Sequence, residues 1–136
     1  MESIDSLLRD LQLSSPAMTS NLWLQTSRFK EVTQILHEVE KWPRVAIRSN
    51  RHGLHFTDGN RVFGSLQWNG QLEVTFPTEV RDRLIAEEMA VADPDQPRSD
   101  RVVWIIRNAA DVQRATWLLR LSYLRFFNTA VHYEQH

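Results

Sequence analysis

The side chains that could carry acid–base or metal chemistry fall into a few small groups. His52 and His55 are three apart in Asn50-Arg51-His52-Gly53-Leu54-His55, and His132 and His136 are four apart with Glu134 between them. On a helix such spacings bring two imidazoles together, and imidazole exchanges a proton near neutral pH. At a strand start, however, odd spacing turns His52 and His55 to opposite faces. No Cys, Asp or Glu at zinc-site spacing completes a ligand set there, so no metal is expected. The C-terminal pair reads as a frayed tail. Asp93, Asp95 and Asp100 share a loop that lacks the glycine-centred spacing of a calcium site. Asp82, Glu87 and Glu88 read as solvated helix surface. The chain has no Gly-x-Ser-x-Gly elbow and no glycine-rich phosphate loop. With no cysteine at all, thiol catalysis and disulfides are excluded.

A different polar set emerges between Leu54 and Phe76. Asp58-Gly59 and Asn69-Gly70 separate three apolar, β-prone runs, the pattern of two hairpins in series. With those dipeptides as two-residue loops, Phe56 faces Arg61, Leu54 faces Phe63, Gln67 faces Leu72, Ser65 faces Val74 and Phe63 faces Phe76. Directly opposed residues share a face. Leu54, Phe56, Phe63, Leu72, Val74 and Phe76 are therefore expected on one side, with Arg61, Ser65 and Gln67 among them. Polar groups within an apolar surface are where a pocket would lie.

The surrounding elements follow from periodicity. Ile4, Leu7, Leu8 and Leu11 make one apolar stripe, a short amphipathic helix over 3–13, followed by a polar linker with Ser14, Ser15 and Pro16. A second helix opens near Ser27, buries Phe29, Val32, Ile35, Leu36 and Val39, and stops before Pro43. Val45 to Arg48 alternates as a strand. Thr78 is expected to cap a third helix, with Val80, Leu84 and Ile85 inward. Residues 92–100 form a loop, and Val102-Val103-Trp104-Ile105-Ile106 is a central strand. Asn108 then caps a last helix, with Asp111 at the capping-box position. That helix is apolar on most sides to about Phe127, so it should lie across the sheet and also meet the N-terminal helix or a second subunit. Meander strands with helices before and after imply the α+β class: an antiparallel sheet of about five strands with helices on one face.

At 136 residues the chain is one domain by length, with 42% apolar residues, 24% charged residues and a net charge of −1. The balanced charge gives no global attraction for nucleic acid or anionic membrane. No apolar run is long enough to span a bilayer, and the first residues lack a secretory pattern, so a cytoplasmic protein is expected. Trp23, Trp42, Trp68, Trp104 and Trp117 are many for this length. They read first as core and edge packing, and second as an aromatic wall for a planar ligand. Arg101, Arg107, Arg114, Arg120 and Arg125, mostly on the last helix, read as solubilising its few exposed strips, with a nucleic-acid surface as the second reading.

Two segments carry a resemblance. Arg61-Val62-Phe63-Gly64, a Gly turn, and Leu72-Glu73-Val74-Thr75-Phe76-Pro77-Thr78-Glu79-Val80-Arg81-Asp82-Arg83-Leu84 form the first. Ile106-Arg107-Asn108-Ala109-Ala110-Asp111-Val112-Gln113-Arg114-Ala115, followed by Trp117-Leu118-Leu119-Arg120-Leu121-Ser122-Tyr123, forms the second. Together they resemble the luciferase-like domain of many bacterial proteins and of the fungal luciferases, over roughly residues 28–127. The layout is also similar to MmcQ/YjbR-like domains. The resemblance implies a domain that in some members oxygenates a hydroxylated pyrone without metal or flavin. Members commonly carry His-x-His where this chain has Ser65-Leu66-Gln67, and further histidines near Asp93-Pro94-Asp95. Serine and glutamine cannot replace a histidine base unaided.

The chain therefore reads as 1–26 N-terminal helix and linker, 27–128 luciferase-like α+β domain, and 129–136 tail. The expected activity is non-catalytic binding of a small, planar, mostly apolar ligand, with no cofactor and no metal. The expected site comprises Arg61, Phe63, Ser65, Gln67, Leu72, Val74, Trp104 and Tyr123. The alternatives are a cofactor-independent oxygenase of a polyphenol or pyrone, and an interaction or DNA-binding domain. In the last, the N- and C-terminal helices would form a homodimer or grip a partner.

Overall fold

The computed structural model describes residues 28–135, and the side chains of 30–124. The chain runs α1 (Arg28–Val39), β1 (Val45–Ser49), β2 (Gly53–Asp58), β3 (Arg61–Gln67), β4 (Gln71–Thr75), α2 (Thr78–Ala86), β5 (Val91–Ala92), β6 (Arg101–Ile105) and α3 (Ala109–Gln135). The amphipathic helix expected over 3–13 lies outside these residues, as do Trp23 and Ser27. The six strands form one antiparallel sheet in the order β1-β2-β3-β4-β6-β5, an α+β fold. The strand beyond the expected five is the two-residue β5, which pairs with β6.

Helix periodicity reads directly into the core. Val32, Ile35, Leu36 and Val39, one stripe of α1, are fully buried, as are Leu118 and Leu119 of α3. They join Leu54, Phe56, Leu66, Leu72, Val74 and Val102 of the sheet in a single cluster. α3 packs on α1 and across β3, β4 and β6. Asn108 caps α3 as expected, its Oδ1 accepting the Asp111 N–H at 3.0 Å. Asp111 does not complete a capping box. Its carboxylate accepts instead from Arg107 N (2.9 Å) and Trp104 Nε1 (3.0 Å), tying the end of β6 to the start of α3. Thr78 is not the cap of α2. Pro77 holds that position without a side-chain hydrogen bond, and the Thr78 hydroxyl donates to Asp100 Oδ1 at 2.9 Å.

The meander forms, but its register differs from the expected one. Asp58 pairs with Arg61 and Thr57 with Val62, so Gly59-Asn60 is the first loop. The register then shifts: Phe56 pairs with Gly64, and Phe63 is the extra, bulged residue. In the second hairpin Leu66 pairs with Leu72 and Ser65 with Glu73. Its loop is the three residues Trp68-Asn69-Gly70, closed by Gly70 N–H donating to Gln67 O, with Gly70 at φ 90°. A slip of one residue exchanges the two faces of a strand. Ser65 and Gln67 therefore lie on the face opposite Leu66, Leu72 and Val74. The apolar residues Leu54, Phe56, Phe63, Leu72, Val74 and Phe76 are buried as expected.

Gly64 marks where α3 crosses the sheet. A Cβ there would fall 2.3 Å from Leu119 Cδ2, so glycine lets the helix lie this close to β3 with the buried Leu119 side chain in place. Ser122, one turn along α3, donates from Oγ to Phe63 O at 2.8 Å. Tyr123 donates its hydroxyl to Pro43 O at 2.8 Å.

Candidate functional site

The bulge at Phe63 and the crossing of α3 leave a small cleft at the β2–β3 turn. Asp58, Arg61, Val62, Phe63, Thr75, Ser122 and Tyr123 line it, and its volume is about 240 Å³. Bulging turns the Phe63 ring inward against Phe56 (6.2 Å between centroids), Tyr123 (5.5 Å) and Trp42 (6.2 Å). One wall is thus aromatic and fixed. Asp58 supplies the buried polar group. Its side chain is 9% exposed, and Oδ1 makes no hydrogen bond. Arg44 Nε stands 3.4 Å from that oxygen, near enough to balance its charge without an aligned N–H. Arg61, opposite Asp58 across the turn, adds a guanidinium to the rim.

Of the eight residues expected in one site, Arg61, Phe63 and Tyr123 meet here. Leu72 and Val74 are core, on the inner face. Trp104 is partly buried beside the core, its ring 5.8 Å from the Arg114 guanidinium. Ser65 and Gln67 stand on the outer face of the sheet. There Gln67 Nε2 and Gln71 Nε2 both donate to Glu73 Oε2, at 2.7 and 3.2 Å. Arg101 lies 3.8 Å from Glu73 and 3.3 Å from the buried Asp93. The slipped register separates the expected floor into two faces.

Asp58, Thr75 and Ser122 stand in no recognisable motif, so the sequence does not point to them. The expected two-residue loop puts Asp58 in the turn, whereas it is the last strand residue, paired with Arg61. Arg114 and Arg120 are more than solubilising. The Arg114 guanidinium lies 5.8 and 5.3 Å from the Trp104 and Trp117 ring centroids, and that of Arg120 lies 5.0 and 5.4 Å from Trp42 and Tyr123. Arg120 and Trp42 also line a wide, open groove between α1 and α3. Among the described residues no group of three His, Cys, Asp or Glu side chains could hold a metal ion. No helix among them is long and apolar enough to cross a membrane.

Residues 60–122 match the family model described as the Luciferase domain. A luciferase-like domain is present in this chain. The match runs from the β2–β3 turn to Ser122 on α3, so it takes in most of the cleft lining, with Asp58 just before it and Tyr123 just after. Neither the curated proteins nor the solved structures give a match.

Proposed function

We propose that this luciferase-like domain is a binding module that holds one small hydroxylated aromatic molecule in the cleft. The observation that carries this reading is the Asp58 carboxylate, 9% exposed and in the lining of a cavity walled by Phe63 and Tyr123. A largely buried carboxylate that has an ion pair but no hydrogen bond among the described residues favours a ligand that brings a donor. With Arg44 and Arg61 near Asp58, a neutral hydroxyl suits it better than a further cation. The rings favour a flat partner. Size points the same way: an apolar cavity of about 150 Å³ takes benzene, and drug-sized pockets start near 300 Å³. A cleft of about 240 Å³ therefore suits a single substituted ring.

The lining supports binding over oxygenation. It contains no imidazole, and its one acid is balanced by Arg44. Isothermal titration with catechol and with 4-hydroxybenzoate tests the reading. The expected result is saturable 1:1 binding that weakens at least tenfold in Asp58→Asn, which keeps the shape of the side chain and removes its charge. Equal affinity in the variant would refute the cleft as the site, and no heat from either phenol would refute the ligand class.

A further inference from the structure

The outer face of the sheet carries a histidine whose tautomer is fixed by its surroundings. Arg48, His55, Ser65 and Glu73 are successive cross-strand partners, so they form one row on that face. At one side of His55 stands Asn50. Its Oδ1 accepts two backbone N–H groups, from His52 at 2.8 Å and from Gly53 at 3.1 Å. That fixes which end of the amide is oxygen, an assignment that otherwise depends on the network. Asn50 Nδ2 must then face His55 Nε2, at 2.6 Å. An amide nitrogen only donates, so Nε2 is the acceptor and the neutral ring carries its proton on Nδ1. Nδ1 lies 2.9 Å from Ser65 Oγ, which therefore accepts.

Two consequences follow for Ser65. Histidine cannot serve as its base, because the nitrogen facing the hydroxyl already holds a proton. And the hydroxyl proton of Ser65 has no acceptor among the described residues. A hydroxyl that accepts a hydrogen bond is the stronger donor for it. Glu73, the next residue in the row, is engaged by Gln67 and Gln71 and lies 3.8 Å from Arg101. Arg48, on the other side of His55, has no acid partner among the described residues.

We infer that Ser65, positioned by Asn50 and His55 and assisted by Arg48, is a donor site for an oxyanion, the carboxylate or phosphate of a small ligand lying on the outer sheet face. This site is separate from the cleft and stands or falls independently of it. Ser65 would touch the ligand; Asn50 and His55 act through it.

The test is NMR on the full chain. Long-range 1H–15N correlation of the His55 ring at pH 8.5 should show the Nδ1–H tautomer, and an Nε2–H ring would overturn the inference. Acetate and inorganic phosphate are then titrated at constant ionic strength against a chloride control. Whichever anion shifts the Ser65 and Arg48 amides saturably identifies the oxyanion. Ser65→Ala and Arg48→Gln should each weaken it at least tenfold. Asn50→Asp keeps the two backbone hydrogen bonds but presents an acceptor to Nε2. It should switch the ring to Nε2–H, turn the Ser65 proton inward and weaken the anion in a folded protein. Shifts matched by chloride, or unchanged in Ser65→Ala, would overturn the oxyanion assignment even with the tautomer correct.

Discussion

Asp58 and Ser122 do different work at the same cleft. In the proposed binding mode Asp58 accepts from the ligand hydroxyl, whereas Ser122 uses its own hydroxyl to hold Phe63 O at 2.8 Å and so fixes the bulge that forms the aromatic wall. Removing that donor in Ser122→Ala leaves a carbonyl without its side-chain partner, a loss of about 1 kcal/mol. Urea denaturation should show the midpoint falling with unchanged slope. Phenol affinity should fall as well, because the Phe63 ring is released; unaltered stability and affinity would mean that the bulge is held otherwise. At this scale the sequence was partly legible. Arg61 and Phe63 follow from the expected hairpin face and Tyr123 from the apolar last helix. Asp58 does not, because its role depends on the first loop being Gly59-Asn60. Spacing alone sets His55 beside His52, whereas its real neighbours, Asn50 and Ser65, are set by a turn and a cross-strand pairing.

Between elements, close approach and caps decide the geometry. Gly64→Ala would drive a methyl into Leu119, a buried core side chain, and overpacking of this kind costs about 1–3 kcal/mol. Thermal unfolding should therefore drop by several degrees. A neutral result would show that α3 can retreat from β3 without loss. Asn108→Ala removes the acceptor for Asp111 N–H and should cost about 1 kcal/mol. Helix positions were legible because a 3.6-residue stripe such as Val32, Ile35, Leu36 and Val39 has one reading. Strand register was not. Asn69-Gly70 fits a two-residue loop and also the end of a three-residue loop, and local sequence does not separate them. That single choice moved Ser65 and Gln67 to the other face.

Across the whole molecule, one face of the sheet is covered by helices and the other carries the polar row of His55, Ser65, Gln67 and Glu73. Stability should be graded accordingly, with amide exchange slowest in β2, β3 and the buried part of α3, and fast in the two-residue β5. Uniform protection would contradict a fold centred on the α3 crossing. The α+β class followed from the order of elements alone, since meander strands flanked by helices have few ways to bury their apolar faces. The cleft followed from nothing so simple; it exists because a bulge, a crossing helix and a turn meet. Its occupancy by a small phenol is the central claim. The most direct test is to record intermolecular nuclear Overhauser effects between bound catechol and the protein. Contacts from the catechol ring protons to the Phe63 and Tyr123 rings are predicted, and they should vanish in Asp58→Asn. Contacts to other residues, or none at saturating catechol, would contradict the account.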